Sequence, residues 1–197
     1  MNILFFDTET TGLPEWRLPS DDPCQPHLIQ IAAILTDIHG NELEEWSTIV
    51  QPEPGATMAP EAFNAHGISL ERAREEGVPL SAAWARFTTL LRKAEGVAGH
   101  NVSFDVRIMR IAGARVTGQK WDCDIPQRCT MRMATSIVNL PPTPKMIAAG
   151  FNKPKAPNLT ECVRHFFNED LGGAHDALVD VRASKRVYFA IRERLAA

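Results

Sequence analysis

Residues 3–10 read Ile3-Leu4-Phe5-Phe6-Asp7-Thr8-Glu9-Thr10, an apolar run that ends in two carboxylates. In an extended strand, side chains alternate between faces, so Asp7 and Glu9 project to the same side. Two carboxylates beside each other at the end of a buried strand repel one another and are costly to desolvate. A divalent cation is the common way to stabilise such a pair, and hard cations take oxygen ligands. The chemistry expected is therefore metal-assisted. Spacing alone does not single out this pair, because Glu42/Glu44 and Asp122/Asp124 share it. What distinguishes Asp7 and Glu9 is the wholly apolar strand before them, which reads as a central strand buried on both faces.

Two further segments can supply ligands or a base. In Gly99-His100-Asn101-Val102-Ser103-Phe104-Asp105 a short strand ends and Asp105 falls in the first turn of the next helix. An acid there also suits the helix dipole without any catalytic task. In His175-Asp176-Ala177-Leu178-Val179-Asp180, His175 and Asp180 are separated by about 140° around a straight helix. They converge only if His175 precedes the helix, where Gly172-Gly173 leave the backbone free. A solvated histidine and a surface aspartate are the ordinary alternative.

The elements that must position these residues follow from periodicity and punctuation. Strands are expected over 2–8, 28–38 and 42–50, with His39-Gly40-Asn41 as a hairpin turn, so the chain starts as an antiparallel meander. Residues 12–27 form a loop carrying Pro14, Pro19, Pro23 and Pro26. Helical spacing covers 69–76 and 80–94, with Trp84, Phe87, Leu90 and Leu91 as core. A short strand at Val97-Ala98 precedes a helix over 102–112, with Gly113 as its C′ residue. A strand near 127–130, a helix over 131–138 and a Pro-rich loop over 139–157 come next. That loop holds Lys145, Lys153 and Lys155 and no acid. Asn158 with Glu161 three residues on predicts a capping box for a helix over 158–167, and a last helix runs over 176–195. No linker or repeat interrupts 1–197, which reads as a single domain.

Taken together, Asp7-x-Glu9, Asp105 and His175-x4-Asp180 resemble the DEDD exonucleases of the His subclass. That family includes the epsilon proofreading subunit of bacterial DNA polymerase III, ribonuclease T and oligoribonuclease. Phe6-Asp7-Thr8-Glu9-Thr10-Thr11-Gly12-Leu13 is similar to the family's first motif, and Asn64-Ala65-His66-Gly67-Ile68 to its short His-Gly-Ile segment. His100 to Asp105 is similar to the second motif and Gly173 to Ala183 to the third. The resemblance implies an α/β, ribonuclease H-like fold: a mixed five-stranded sheet flanked by helices. It implies that Asp7, Glu9, Asp105 and Asp180 hold two divalent ions, Mg²⁺ or Mn²⁺. His175 would be the general base, and nucleoside 5′-monophosphates would leave from the 3′ end of single-stranded DNA or short RNA. Backbone around Thr10, Thr11 and Gly12 and the side chains of His66 and Phe104 would cradle the terminal nucleotide, with Asn101 near the scissile phosphate; ordinary core packing is the equal alternative for Phe104. Lys145, Lys153 and Lys155 read first as keeping a surface loop soluble, with contact to upstream phosphates as the alternative. A homodimer is left open; association with a polymerase is open but not favoured. The loop over 14–27 is longer than the resemblance leads one to expect, and Cys129-Thr130 stands where many relatives carry Asp-Thr.

Composition excludes other classes. The net charge of −3 provides no global basic field, so any polyanion must be gripped locally. No apolar run suits a membrane helix, and the N-terminus lacks the basic region of a signal peptide. The four cysteines show no C-x-x-C spacing, which predicts reduced thiols in the cytoplasm. His175-Asp176 could be an HD-type dyad, but those folds are helical and this chain begins with strands. All five DEDD-His positions are filled, which disfavours a binding module without catalysis.

Overall fold

A computed structural model describes residues 1–196. The strands are β1 (Asn2–Thr10), β2 (Leu28–Asp37), β3 (Glu42–Ile49), β4 (Gly96–Gly99) and β5 (Gln127–Cys129). They form one sheet in the order β3-β2-β1-β4-β5. β1 and β3 are antiparallel to β2, while β4 and β5 run parallel to β1. The helices are α1 (Pro60–His66), α2 (Leu70–Glu76), α3 (Leu80–Leu91), α4 (Val102–Thr117), α5 (Thr130–Val138), α6 (Pro144–Ala148), α7 (Leu159–Phe167) and α8 (Ala177–Ala196). The expected mixed five-stranded sheet flanked by helices is present. No helix among the described residues is long and apolar enough to cross a membrane.

β1 lies at the centre of the sheet, and its alternation divides the core. Leu4 and Phe6 face one side and pack with Trp84 and Phe87 of α3 and with Val106 and Met109 of α4. Ile3 and Phe5 face the other and pack with Ala177, Val181 and Tyr188 of α8. Phe5, Phe6 and Phe87 are fully buried, each contributing about 1.5–3 kcal/mol by burial. The same alternation continues into the polar end of the strand. Asp7 and Glu9 therefore emerge on the α8 face and Thr8 on the α4 face.

Several expected boundaries shift, each for a local reason. α4 does not stop at Gly113 but runs to Thr117 and is capped by Gly118 in a left-handed conformation. Gly113 serves helix packing instead: a Cβ there would lie 2.6 Å from the Trp84 ring of α3. α1, between Pro60 at its first turn and the left-handed Gly67, buries none of its residues, so no apolar stripe marks it in sequence. The segment 139–157 is not all loop. It holds α6, and Leu140 bridges to Lys155. The capping box of α7 is present, with Asn158 accepting from the Glu161 N–H and Glu161 from the Asn158 N–H. The long segment after β1 is held from within and from α4. The buried Gln25 amide donates to the carbonyls of Glu15 and Pro19 (both 2.9 Å), and Arg107 donates to Leu18 O (2.6 Å) and Ser20 Oγ (2.8 Å).

Candidate active site

The carboxylates arrive from three elements. β1 brings Asp7 and Glu9, the first turn of α4 brings Asp105, and the first turn of α8 brings Asp180. Asp7 pairs across the sheet with the buried Ala32. β4 can end close to β1 because its last residue is Gly99, where a Cβ would lie 2.9 Å from Phe6 O. The turn into α4 then passes through Asn101 in a left-handed conformation.

His175 precedes α8, as convergence with Asp180 requires. It is left-handed (φ 69°), a costly conformation for a residue with a Cβ and one that recurs at functional sites. Its backbone N–H donates to Asp180 Oδ2 (3.1 Å). One ring nitrogen of His175 and one oxygen each of Glu9 and Asp180 lie within 4.8 Å of one another. Asp7 and Asp105 stand outside that triplet but close enough to act on it electrostatically.

Burial and mutual repulsion dominate the electrostatics. Burial first, then Asp105, Glu9 and Asp180, hold the Asp7 carboxyl well above the ordinary carboxylate range. Burial, then Asp180 and Asp105, push Glu9 up to about 8. Burial also raises Asp105, against the two hydrogen bonds it accepts from Thr8, and raises Asp180. Asp180 Oδ1 is buried with no hydrogen-bond partner among the described residues. An all-carboxylate donor set with an orphaned oxygen is what hard divalent cations fit.

Three residues outside the expected site set hold this cluster in place. Thr8 donates to Asp105 Oδ1 from both its backbone N–H (3.0 Å) and its hydroxyl (2.8 Å). Gln30 of β2, paired across the sheet with Glu9, accepts from the Ala177 N–H (3.0 Å) and donates to Asp176 Oδ2 (3.2 Å). Asp176 in turn caps α8, its Oδ1 accepting from the N–H groups of Leu178 (3.0 Å) and Val179 (3.2 Å). The signal for Gln30 was present: it is the one polar residue in Leu28-Ile29-Gln30-Ile31-Ala32-Ala33-Ile34-Leu35.

Beside the carboxylates lies a cleft of about 530 Å³. Glu9, Thr10, Gly12, Leu13, His66 and Phe104 are in its walls. Phe104 is half-buried, packing on the α4-side core while lining the cleft. Both ring nitrogens of His66 are engaged: Nδ1 accepts from the Ile68 N–H (3.0 Å), so Nε2 donates to Thr10 O (3.1 Å). His66 therefore offers the cleft its ring face. The Thr10 hydroxyl is spent on Gly12 O (2.7 Å). Thr11 lies outside the cleft, bonded to His27 through its N–H and its hydroxyl (both 2.9 Å). Asn101 is exposed and lies outside it too. Of the three lysines, Lys155 is engaged with Glu161 (2.7 Å).

No curated protein matches the chain. Among solved structures, the chain is similar to E. coli exonuclease I in complex with a dT13 oligonucleotide (23% identity, TM-score 0.75, covering 99% of this chain and 42% of that one). It is similar to the zinc-bound E. coli exonuclease I complex with single-stranded DNA (22%, TM-score 0.72, 99% and 41%). It is also similar to a moderately thermophilic exonuclease I from Methylocaldum szegediense (25%, TM-score 0.72, 99% and 41%). The chain thus spans about two fifths of the length of these proteins. Their likeness shows the fold, ribonuclease H-like α/β. The exonuclease family of RNase T type matches residues 4–188, and with that match over nearly the whole sheet and its carboxylates, the chain belongs to the exonuclease family, as a nuclease of the DEDD type.

Proposed function

We propose that this enzyme hydrolyses phosphodiester bonds from the 3′ end of single-stranded nucleic acid and releases nucleoside 5′-monophosphates, with His175 as general base. The observation that carries the reading is the convergence of Glu9, His175 and Asp180 from strand, loop and helix, together with a buried Asp180 oxygen that has no hydrogen-bond partner among the described residues. Asp7, Glu9, Asp105 and Asp180 are the residues that would hold two divalent ions, Mg²⁺ or Mn²⁺. When bound, such ions neutralise the phosphodiester charge and make water a better nucleophile.

The chain's own groups do the rest. His175, exposed at the rim and within reach of the carboxylates, takes the proton of the attacking water, the general-base task for which imidazole is the usual side chain. Thr8 keeps Asp105 pointing at the site. The terminal nucleotide enters the cleft between the ring faces of His66 and Phe104, which accept any base. Thr10 and Gly12, in the cleft wall, border its sugar and phosphate, while Thr11 and Asn101, outside the cleft, do not reach it. The single-stranded DNA in the similar structures supports DNA as substrate. Residues 1–197 act as one domain in this reading, and four free cysteines suit a reducing, cytoplasmic setting.

The test uses 5′-labelled single-stranded DNA and matched RNA with Mg²⁺, Mn²⁺ or EDTA. A metal-dependent ladder shortening from the 3′ end is expected, and it should vanish in Asp7→Ala. His175→Ala should cut turnover on the order of a hundredfold to ten-thousandfold while metal affinity, read by calorimetry, is kept. Near-wild-type turnover in that variant would remove His175 from the mechanism, and absence of cleavage with every metal would overturn the free-standing exonuclease.

A further inference from the structure

A second cleft, of about 550 Å³, opens at the other end of the sheet. It lies between the start of β1, β5, the start of α5 and the C-terminal half of α8, with Arg128, Arg132, Arg192, Ile3, Met133 and Tyr188 among its lining residues. Ile3 precedes Asp7 by four strand residues, about 13 Å. Arg192 follows Asp180 by twelve helical residues, about 18 Å. The cleft is therefore separate from the carboxylate site.

Its charge is one-sided. Three guanidinium groups line it and no carboxylate does, in a protein whose net charge is −3. Arg182 and Arg186, on the same α8, are each paired with a glutamate. Arg128 and Arg132 are in no ion pair among the described residues. Arg128 Nη1 is also shielded from solvent with no hydrogen-bond partner there. A desolvated guanidinium nitrogen without an acceptor is costly, and an anion relieves that cost. Arg192 is already fixed: Nη1 donates to Ile38 O (2.8 Å), and its guanidinium carbon lies 5.9 Å from the centre of the Tyr188 ring and 5.8 Å from that of Phe189. The remaining wall is mostly apolar, with Ile3, Ile38, Met133 and the Tyr188 ring, and Gln127 adds one neutral polar side chain.

We infer that this cleft is a second binding site, for the phosphate group of a nucleotide. Arg128 and Arg132 take the phosphate oxygens, since a guanidinium fork matches phosphate geometry. The apolar wall takes the sugar and base, and the cleft has the size of a small-ligand pocket. A free nucleoside 5′-monophosphate and the 5′-phosphate of a strand share this chemistry. The inference stands on the pocket and does not depend on the catalytic reading.

Calorimetric titration in EDTA tests it, with inorganic phosphate, AMP and a 5′-phosphorylated oligonucleotide as probes. The proteins are wild type, Arg132→Gln and Arg128→Gln/Arg132→Gln. The double variant should bind the occupant about tenfold or more weakly than wild type, with Arg132→Gln between them. Because Arg132 is exposed and unpaired, the single variant reports even where loss of Arg128 disturbs folding. Arginine-dependent binding of AMP identifies a free nucleotide, and of the oligonucleotide alone a strand end, and each supports the site; inorganic phosphate bound as tightly as AMP shows an anion site without base contact and overturns the nucleotide assignment. No binding of any probe to wild type, or equal affinity in all three proteins, overturns it.

Discussion

Single side chains at the carboxylate cluster oppose the stability of the metal-free fold. Asp7, Glu9, Asp105 and Asp180 are all raised above their ordinary range by burial. A carboxyl whose folded pKa exceeds its unfolded value binds the proton more tightly in the native state. Its contribution is therefore fully present below the unfolded pKa and is lost as pH rises through the folded one. For Glu9 that window runs from 4.5 up to about 8. In EDTA the melting temperature should fall as pH rises between about pH 5 and about pH 9. Glu9→Gln should flatten that fall and melt above wild type at the alkaline end. Mg²⁺ should restore wild type and leave the variant little changed. A wild-type profile that rises through this range in EDTA would contradict the assignment of these shifts to burial and repulsion.

Between elements, the decisive contact is the one that docks the start of α8 on β2. Gln30 is buried, and its amide meets both the Ala177 N–H and the Asp176 carboxylate. It thereby sets the height of Asp180 and His175 above Glu9. Gln30→Ala leaves a buried helix N–H without a partner, at a cost of about 1–3 kcal/mol. Because small displacements of a catalytic group are expensive, kcat should drop between about tenfold and a hundredfold while KM changes little. A variant that melts lower but turns over at the wild-type rate would make Gln30 structural only. Residues 14–27 illustrate the same principle. Their prolines and polar residues read as loop, yet Gln25 and Arg107 give them fixed hydrogen-bond partners. Backbone groups of an irregular segment need such partners wherever water cannot serve.

At the scale of the molecule, β1 belongs to two cores at once. Its even residues pack under α3 and α4, its odd ones under α8. Neither core can be lost without exposing the other face of the same strand, so residues 1–197 should unfold in one cooperative step. Trp84 and Trp121 lie against the α4-side core and report it by fluorescence; far-UV circular dichroism reports α8 together with the other helices. Coincident urea transitions from the two probes are expected, and separate midpoints would divide the chain into two units.

The amino-acid sequence by itself determined the strand–hairpin–strand start, the apolar β1, the α7 capping box and the motif segments that carry the carboxylates. These are encoded locally, in alternation, caps and residue types a few positions apart. It left out α1 and α6, which bury no residue and so carry no apolar stripe, and ended α4 five residues early at Gly113, because a glycine that admits a neighbouring helix looks the same in sequence as one that ends a helix. Only the tertiary structure brought Thr8 to Asp105 across 97 residues and Gln30 to Ala177 across 147. It alone engaged both nitrogens of His66, turned Thr11 toward His27 and left Arg128 unpaired beside Arg132. Partnerships of that kind depend on which surfaces meet when the sheet is covered, and a linear pattern carries no term for them.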